Sequence, residues 1–182
     1  MNKNIKNITY IAILSSIIAI VSPFTISIFV IPFSLSLFII YIVGAISSKF
    51  GALLAVLIYI FLGIIGLPVF SSFSGGIGII LGITGGFIIG YLPCVLIVNL
   101  IVNINKKKMI YYIIGMLCGT LSCYVIGTVW YMIETNSNLI QSILICIVPY
   151  IVFDIIKIGL GSVVSYLLNN RFLNNTKYLM KK

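Results

Sequence analysis

The sequence predicts an all-α integral membrane protein of six transmembrane helices, forming one membrane domain over residues 1–182. Three observations lead there. Hydrophobic residues make up 62% of the chain and charged residues 7%, against about 25% charged in an average soluble domain. The apolar residues fall in six runs separated by short polar breaks, and a helix needs about 20 apolar residues to cross a bilayer. The basic residues sit at alternate breaks, which is the positive-inside pattern. A soluble globule of this composition could not cover its surface with polar groups. A soluble domain, a disordered tail and a secreted disulfide scaffold are therefore excluded.

The first run covers residues 8–21 and stops at Ser22-Pro23. The second, 31–46, is short, and 26–31 either extends it or forms an irregular crossing. The third covers 50–67, after Ser47-Ser48-Lys49. A Gly/Ser-rich stretch follows over 71–82. The fourth, fifth and sixth runs cover 83–103, 109–133 and 143–168. Residues 169–182 are a short polar tail. There is no convincing internal repeat or domain boundary. The apolar sequence after Lys3 and Lys6 leads straight into more apolar sequence, unlike a cleaved signal peptide.

With the N-terminus in the cytoplasm, Lys3, Lys6, Lys49, Lys106, Lys107, Lys108, Arg171, Lys177, Lys181 and Lys182 all lie inside. Lys157 lies within the sixth run, and Glu134 is the one charge in the outer loops. Six spans with both termini cytoplasmic places every exposed basic residue on one side. Orientation and anionic inner-leaflet lipid then account for the net charge of +9. Nothing interleaves aromatic and basic residues as a nucleic-acid site would. The chain has no His, which excludes Ser-His, Cys-His and His-metal chemistry within it. Cys94, Cys118, Cys123 and Cys146 stand in apolar runs without a CxxC pair and read as free buried thiols. No metal or cofactor is expected.

Four features stand out as candidates for function. Asp154 and Lys157 lie in the sixth run, three apart and so on one helix face. Each charge inside a bilayer costs roughly 2.5–3.5 kcal/mol on insertion scales, and such groups usually mark a pathway or site. An ion pair that only locks helices together is the plainer possibility. Pro149 either kinks this span or starts it. Residues 63–90 hold nine of the sixteen glycines: Gly63, Gly66, Gly75, Gly76, Gly78, Gly82, Gly85, Gly86 and Gly90. Glycine exposes backbone to a ligand and equally permits close helix contact; composition does not choose between them. It is not a phosphate loop, because no GK[ST] follows. Ala12 and Ser16, like Ser15 and Ala19, have small-xxx-small spacing, which more often serves contacts within the chain than docking. Trp130, Tyr131 and Glu134 close the fifth run, where aromatic residues commonly anchor at the interface or wall an outward-facing pocket.

The segments Gly66-Leu67-Pro68-Val69-Phe70-Ser71, Ser74-Gly75-Gly76 and Gly82-Ile83-Thr84-Gly85-Gly86-Phe87-Ile88-Ile89-Gly90-Tyr91 resemble the BioY family, the biotin-binding S components of energy-coupling-factor (ECF) transporters. Gly127-Thr128-Val129-Trp130-Tyr131 and Val148-Pro149-Tyr150 through Asp154-Ile155-Ile156-Lys157 are similar to it in turn. So are Thr9 to Ser16 and the Pro-containing lead-in Val30-Ile31-Pro32-Phe33-Ser34-Leu35. The resemblance runs along most of the chain in order. Ile83 stands where the family commonly has Pro, Ser36 where Gln is frequent, and Ser16 where a small Ala is usual.

The resemblance implies the ECF S-component fold and high-affinity capture of external biotin at a bacterial or archaeal cell membrane. It implies a transmembrane coupling subunit and two ATPase subunits as partners, whose ATP hydrolysis reorients the S component. The chain itself is then not an enzyme. Ala12 and Ser16 would meet the coupling subunit. Asp154 would accept from the ureido N–H groups of biotin, and Lys157 would pair with the biotin carboxylate or with Asp154. Backbone around Ser74, Gly75, Gly76 and Gly78, and around Thr84, Gly85 and Gly86, would satisfy other polar atoms. Phe87, Trp130 and Tyr131 would cover the apolar ring, with the Gly-rich loop as a lid. Competing readings are an S component for thiamin or riboflavin, a membrane enzyme, and a pore.

Overall fold

A computed structural model describes residues 3–26 and 33–179. In chain order these form α1 (Lys3–Val21), β1 (Thr25–Ile26), β2 (Phe33–Ser34), α2 (Ser36–Ile46), α3 (Lys49–Ile64), a 3-10 turn (Ser71–Phe73), α4 (Ile77–Leu81), α5 (Gly85–Ile104), α6 (Met109–Thr135), α7 (Leu139–Cys146) and α8 (Ile151–Leu179). Among the described residues, α5, α6 and Ile151–Arg171 of α8 are long and apolar enough to cross a membrane; α1, α2 and α3 are shorter apolar helices.

Two of the expected spans differ in form. Of the second run, expected as a short one over 31–46, the described helix covers Ser36–Ile46. Phe33-Ser34 pairs antiparallel with Thr25-Ile26, and helix begins only at Ser36. Eleven residues make α2 about 16 Å long at 1.5 Å per residue. Val30, Ile31 and Pro32 of the expected lead-in lie outside the described residues. The sixth run is broken in two. Pro149 lacks an N–H and its ring disfavours helix on its N-terminal side, so α7 ends at Cys146 and α8 starts at Ile151.

Short α2 is the most enclosed element. It touches α1, α3, α5 and α8, and Ile40, Tyr41 and Ala45 have no exposed surface. Around it, Ile18, Val56, Val95, Val98 and Met116 complete the core. The outer faces are apolar as well: Ile8, Ile20, Leu121, Ile133 and Val152 are each more than half exposed. In water such a surface would drive association; in a bilayer it is the required solvent-facing surface.

The closest pair of helices is α5 and α6. A Cβ on Gly90 would stand 3.1 Å from the Cys123 sulfur, and one on Gly119 would stand 3.0 Å from that of Cys94. Gly86, Gly90 and Cys94 therefore run along α5 against Cys123, Gly119 and their neighbours on α6, four residues per step. Small residues at this spacing let two helix backbones approach. The seam sets the relative height of Phe87 and Tyr91 on α5 and Cys123 and Tyr124 on α6.

The two ends of the bundle differ. At one end Asn99 donates to the carbonyls of Gly44 and Ser47, both at 2.8 Å. Asn169 donates to Ala45 at 3.0 Å and to the Tyr112 hydroxyl at 2.9 Å, and that hydroxyl donates to Lys106. These bonds gather Ser47, Lys106 and Asn169, each beside basic residues, into one lysine-bearing end. The opposite end carries the connections from Ile65 to Thr84 and from Asn136 to Tyr150.

Candidate functional site

The site grows from the start of α8. The Asp154 N–H donates to the Tyr150 carbonyl at 2.9 Å, so Asp154 lies in the first helical turn. The positive end of the helix dipole favours a carboxylate there. One turn on, the Lys157 ammonium donates to Asp154 Oδ1 at 3.0 Å. From α6, the Tyr124 hydroxyl donates to Asp154 Oδ2. Asp154 is 5% exposed and Lys157 is 7%. Burial of this kind is tolerable only for charges that are paired and hydrogen-bonded.

The pair faces a cavity of about 320 Å³ between the end of the bundle and its loops. Small-molecule pockets run from about 300 to 1,000 Å³. Leu37 of α2, Phe87, Ile88 and Tyr91 of α5 and Tyr150 give it apolar and aromatic walls. Ser34, Thr84 and the serines of the 71–74 turn give it hydroxyls. The chemistry is that of a site for a small, partly apolar molecule with hydrogen-bond donors and an anionic or carbonyl group.

The loop over the cavity is Gly-rich and held in place. The Gly76 N–H donates to the Gly63 carbonyl at 2.7 Å, and Gly76 has φ of +99°, a conformation glycine allows. Ser72 and Phe73 are left-handed without being glycine, with φ of 58° and 56°. Surrounding contacts must hold such residues. The Ser72 N–H donates to the Pro23 carbonyl, its hydroxyl pairs with Thr25 at 2.8 Å, and the Phe73 ring meets Phe24 edge-on. Phe70 is buried edge-on to Tyr59, and its ring fills the space a Cβ on Gly63 would need.

The structure brings five expected site residues to the cavity: Ser74, Thr84, Phe87, Asp154 and Lys157. The others lie around it. A Cβ on Gly75 would stand 2.3 Å from the Leu67 carbonyl oxygen, and one on Gly85 would stand 1.7 Å from that of Ile80, so both serve close backbone contacts. Gly86 faces Trp130 across the α5–α6 seam, and Gly78 is exposed on α4 with open space around it. Trp130 donates from its ring nitrogen to the Gly82 carbonyl at 3.0 Å, tying α6 to the loop. Tyr131 packs with Cys146 and Tyr150 in a small cluster behind the cavity wall. Ala12 and Ser16 are exposed on α1, whereas Ser15 is buried and Ala19 half-buried. Among the described residues no His, Cys, Asp and Glu side chains group as metal ligands.

Sequence reasoning missed Tyr124, Tyr91, Ser34, Cys123 and Cys146 as cavity residues. Tyr91 stood inside a motif that carried the resemblance. Tyr124 had no signal beyond a hydroxyl within an apolar run.

A model of the BioY family matches residues 1–174. The chain belongs to the BioY family. Biotin transporter BioY2 of Lactococcus lactis subsp. cremoris is 29% identical over 177 residues, covering 97% of each chain. The probable biotin transporter BioY of Pyrococcus horikoshii is 31% identical over 88% of this chain and 94% of its own. The BioY protein of Thermotoga maritima, a biotin transporter, is 29% identical over 79% of this chain and 78% of its own. The crystal structure of the S-component for biotin from an ECF-type ABC transporter superposes with a TM-score of 0.83, at 24% identity, over 93% of this chain and 95% of that one. This BioY-family chain thus has the S-component fold and is a membrane protein. The family is one of transporter components, not of enzymes.

Proposed function

We propose that this chain is the substrate-capture subunit of a biotin uptake transporter. Six helices cross or enter the membrane with both termini cytoplasmic, and the cavity opens to the outside. The lysine-bearing end then faces the anionic inner leaflet, while Glu134 lies at the other end. Asp154 accepts from the ureido group of biotin. Ser74 and Thr84 supply further polar contacts, Phe87 covers the apolar ring, and Lys157 holds Asp154 or the valerate carboxylate. Gly75, Gly76, Gly78, Gly85, Gly86, Trp130 and Tyr131 shape the site from behind and hold the loop that covers it.

One observation carries this reading: a buried Asp154–Lys157 pair opening onto a cavity of small-molecule size in a BioY-family chain. The relatives of Lactococcus lactis and Thermotoga maritima are named biotin transporters and that of Pyrococcus horikoshii a probable one, which favours biotin over thiamin or riboflavin. A transmembrane coupling subunit and two ATPase subunits complete the transporter. Ala12 and Ser16 are small and exposed on α1, which supports a reading in which the coupling subunit docks there.

Calorimetry of the detergent-purified chain with biotin, thiamin and riboflavin tests the reading. It requires tight binding of biotin alone. Binding of a different vitamin would keep the transporter class and discard biotin.

A further inference from the structure

We infer that Tyr124 is a positioning residue of the cavity, fixing the Asp154 carboxylate in the orientation in which it accepts an N–H from the ligand. The inference rests on the biotin reading and deepens it. Two side chains on different helices hold the carboxylate: Lys157 of α8 donates to Oδ1 at 3.0 Å, and Tyr124 of α6 donates to Oδ2. Among the described residues no other side chain donates to Asp154. Each carboxylate oxygen has two lone-pair directions. With one direction per oxygen taken by a fixed donor, the plane of the group is held and acceptor capacity remains for a ligand in the cavity that Asp154 lines. The two N–H groups of a five-membered cyclic urea point to opposite sides of the ring, so one of them is the donor that a carboxylate held in this orientation meets. A rotating carboxylate would offer the same atoms at an entropic cost on binding.

A second observation shows why the hydroxyl is needed. Behind Tyr124 lies another cavity, of about 490 Å³, with almost wholly apolar walls. Leu121, Val125, Ile151 and Ile155 line it and are exposed on the surface that faces lipid. Tyr124 and Asp154 line both cavities. They are the wall between a polar ligand site and a hydrocarbon-facing groove. Among the described residues, Tyr124 is the groove-lining side chain that donates to the carboxylate, and an unsatisfied charge there is strongly disfavoured. The carboxylate of a Tyr124→Phe variant would turn toward Lys157 and away from the ligand geometry.

The test is a double-mutant cycle in the full chain. Biotin affinity is measured for wild type, Tyr124→Phe, Asp154→Asn and the double variant, with a biotin analogue alkylated on its ureido nitrogens as a second ligand. Phe keeps the ring and so keeps the wall. Loss of one hydrogen bond to a charged group predicts about tenfold weaker biotin binding by Tyr124→Phe. In the Asp154→Asn background, and toward the alkylated analogue, the same change should cost less than about twofold, because the residue acts through Asp154. An equal loss in every background and for both ligands is what a merely structural tyrosine gives, and it overturns the inference. So does an unchanged affinity for biotin. If Asp154→Asn does not fold, the two ligands on wild type and Tyr124→Phe still decide the matter. Wild type that does not bind biotin removes the biotin reading and this one together; wild type that binds while Tyr124→Phe is unaffected removes this one alone.

Discussion

Both ends of the bundle bury polar side chains, and they use them oppositely. At the lysine-bearing end the buried groups are neutral amides. Asn99 and Asn169 spend their donors on the carbonyls of Gly44, Ala45 and Ser47, where α2 runs out of helical partners. Val95, Val98 and Val102 surround them with no exposed surface. At the other end a charged pair, Asp154 and Lys157, is buried, and it faces an open cavity. A neutral amide against a helix terminus satisfies a structural need. A paired charge beside empty space is a recognition surface. Burial and polarity do not separate the two uses; what the polar group faces does.

Each end can be tested against the other. The largest effect should come from Lys157→Met. It leaves Asp154 buried without its cation, and breaking a buried pair costs about 3–5 kcal/mol. Unfolding in detergent should show that loss, with biotin affinity falling as well. Unchanged stability would mean the pair is solvated and the cavity wetter than its geometry implies.

Gly86→Ala comes next. Its Cβ would stand 2.2 Å from that of Trp130, and overpacking of this kind costs about 1–3 kcal/mol. A lowered melting temperature with proportionate loss of binding would fit a glycine of the helix seam. Weaker binding at full stability would instead return Gly86 to the ligand-contacting set.

Asn99→Leu orphans two carbonyls at the lysine-bearing end. The expected loss is about 1–2 kcal/mol, in the range of membrane hydrogen bonds, with biotin affinity changed by less than about twofold. A large affinity change would couple the ends and dissolve the contrast between them. Ser16→Leu should have the smallest effect on binding, none within error, while abolishing uptake in cells that carry the partner subunits. Normal uptake would remove the exposed face of α1 from the docking surface.

Much of this arrangement was legible in the sequence. The apolar runs located the helices because lipid demands continuous apolar surface, and Asp154 with Lys157 stood out because charge within such a run is rare. The spacing of three placed them on one face, where they pair. The tertiary partners were not legible. Tyr124 meets Asp154 across 30 residues of chain, and a tyrosine in an apolar run looks the same whether it anchors, packs or donates. The glycines carried two meanings at equal weight. Only the positions of Ile80 and Trp130 showed that Gly85 and Gly86 make room for neighbours. The lead-in to the second run left two readings open, an extension of the span or an irregular crossing, because the strand pairing of residues 33–34 with 25–26 depends on where the chain returns.

The most direct measurement is biotin affinity for Asp154→Asn beside Asn99→Leu, both purified and shown to be folded. Loss of a charged hydrogen-bond partner should weaken binding by Asp154→Asn at least tenfold, and up to about a hundredfold, while Asn99→Leu binds like wild type. Equal affinities for the two variants would contradict the claim that the charged end of this bundle is the one that recognises the ligand.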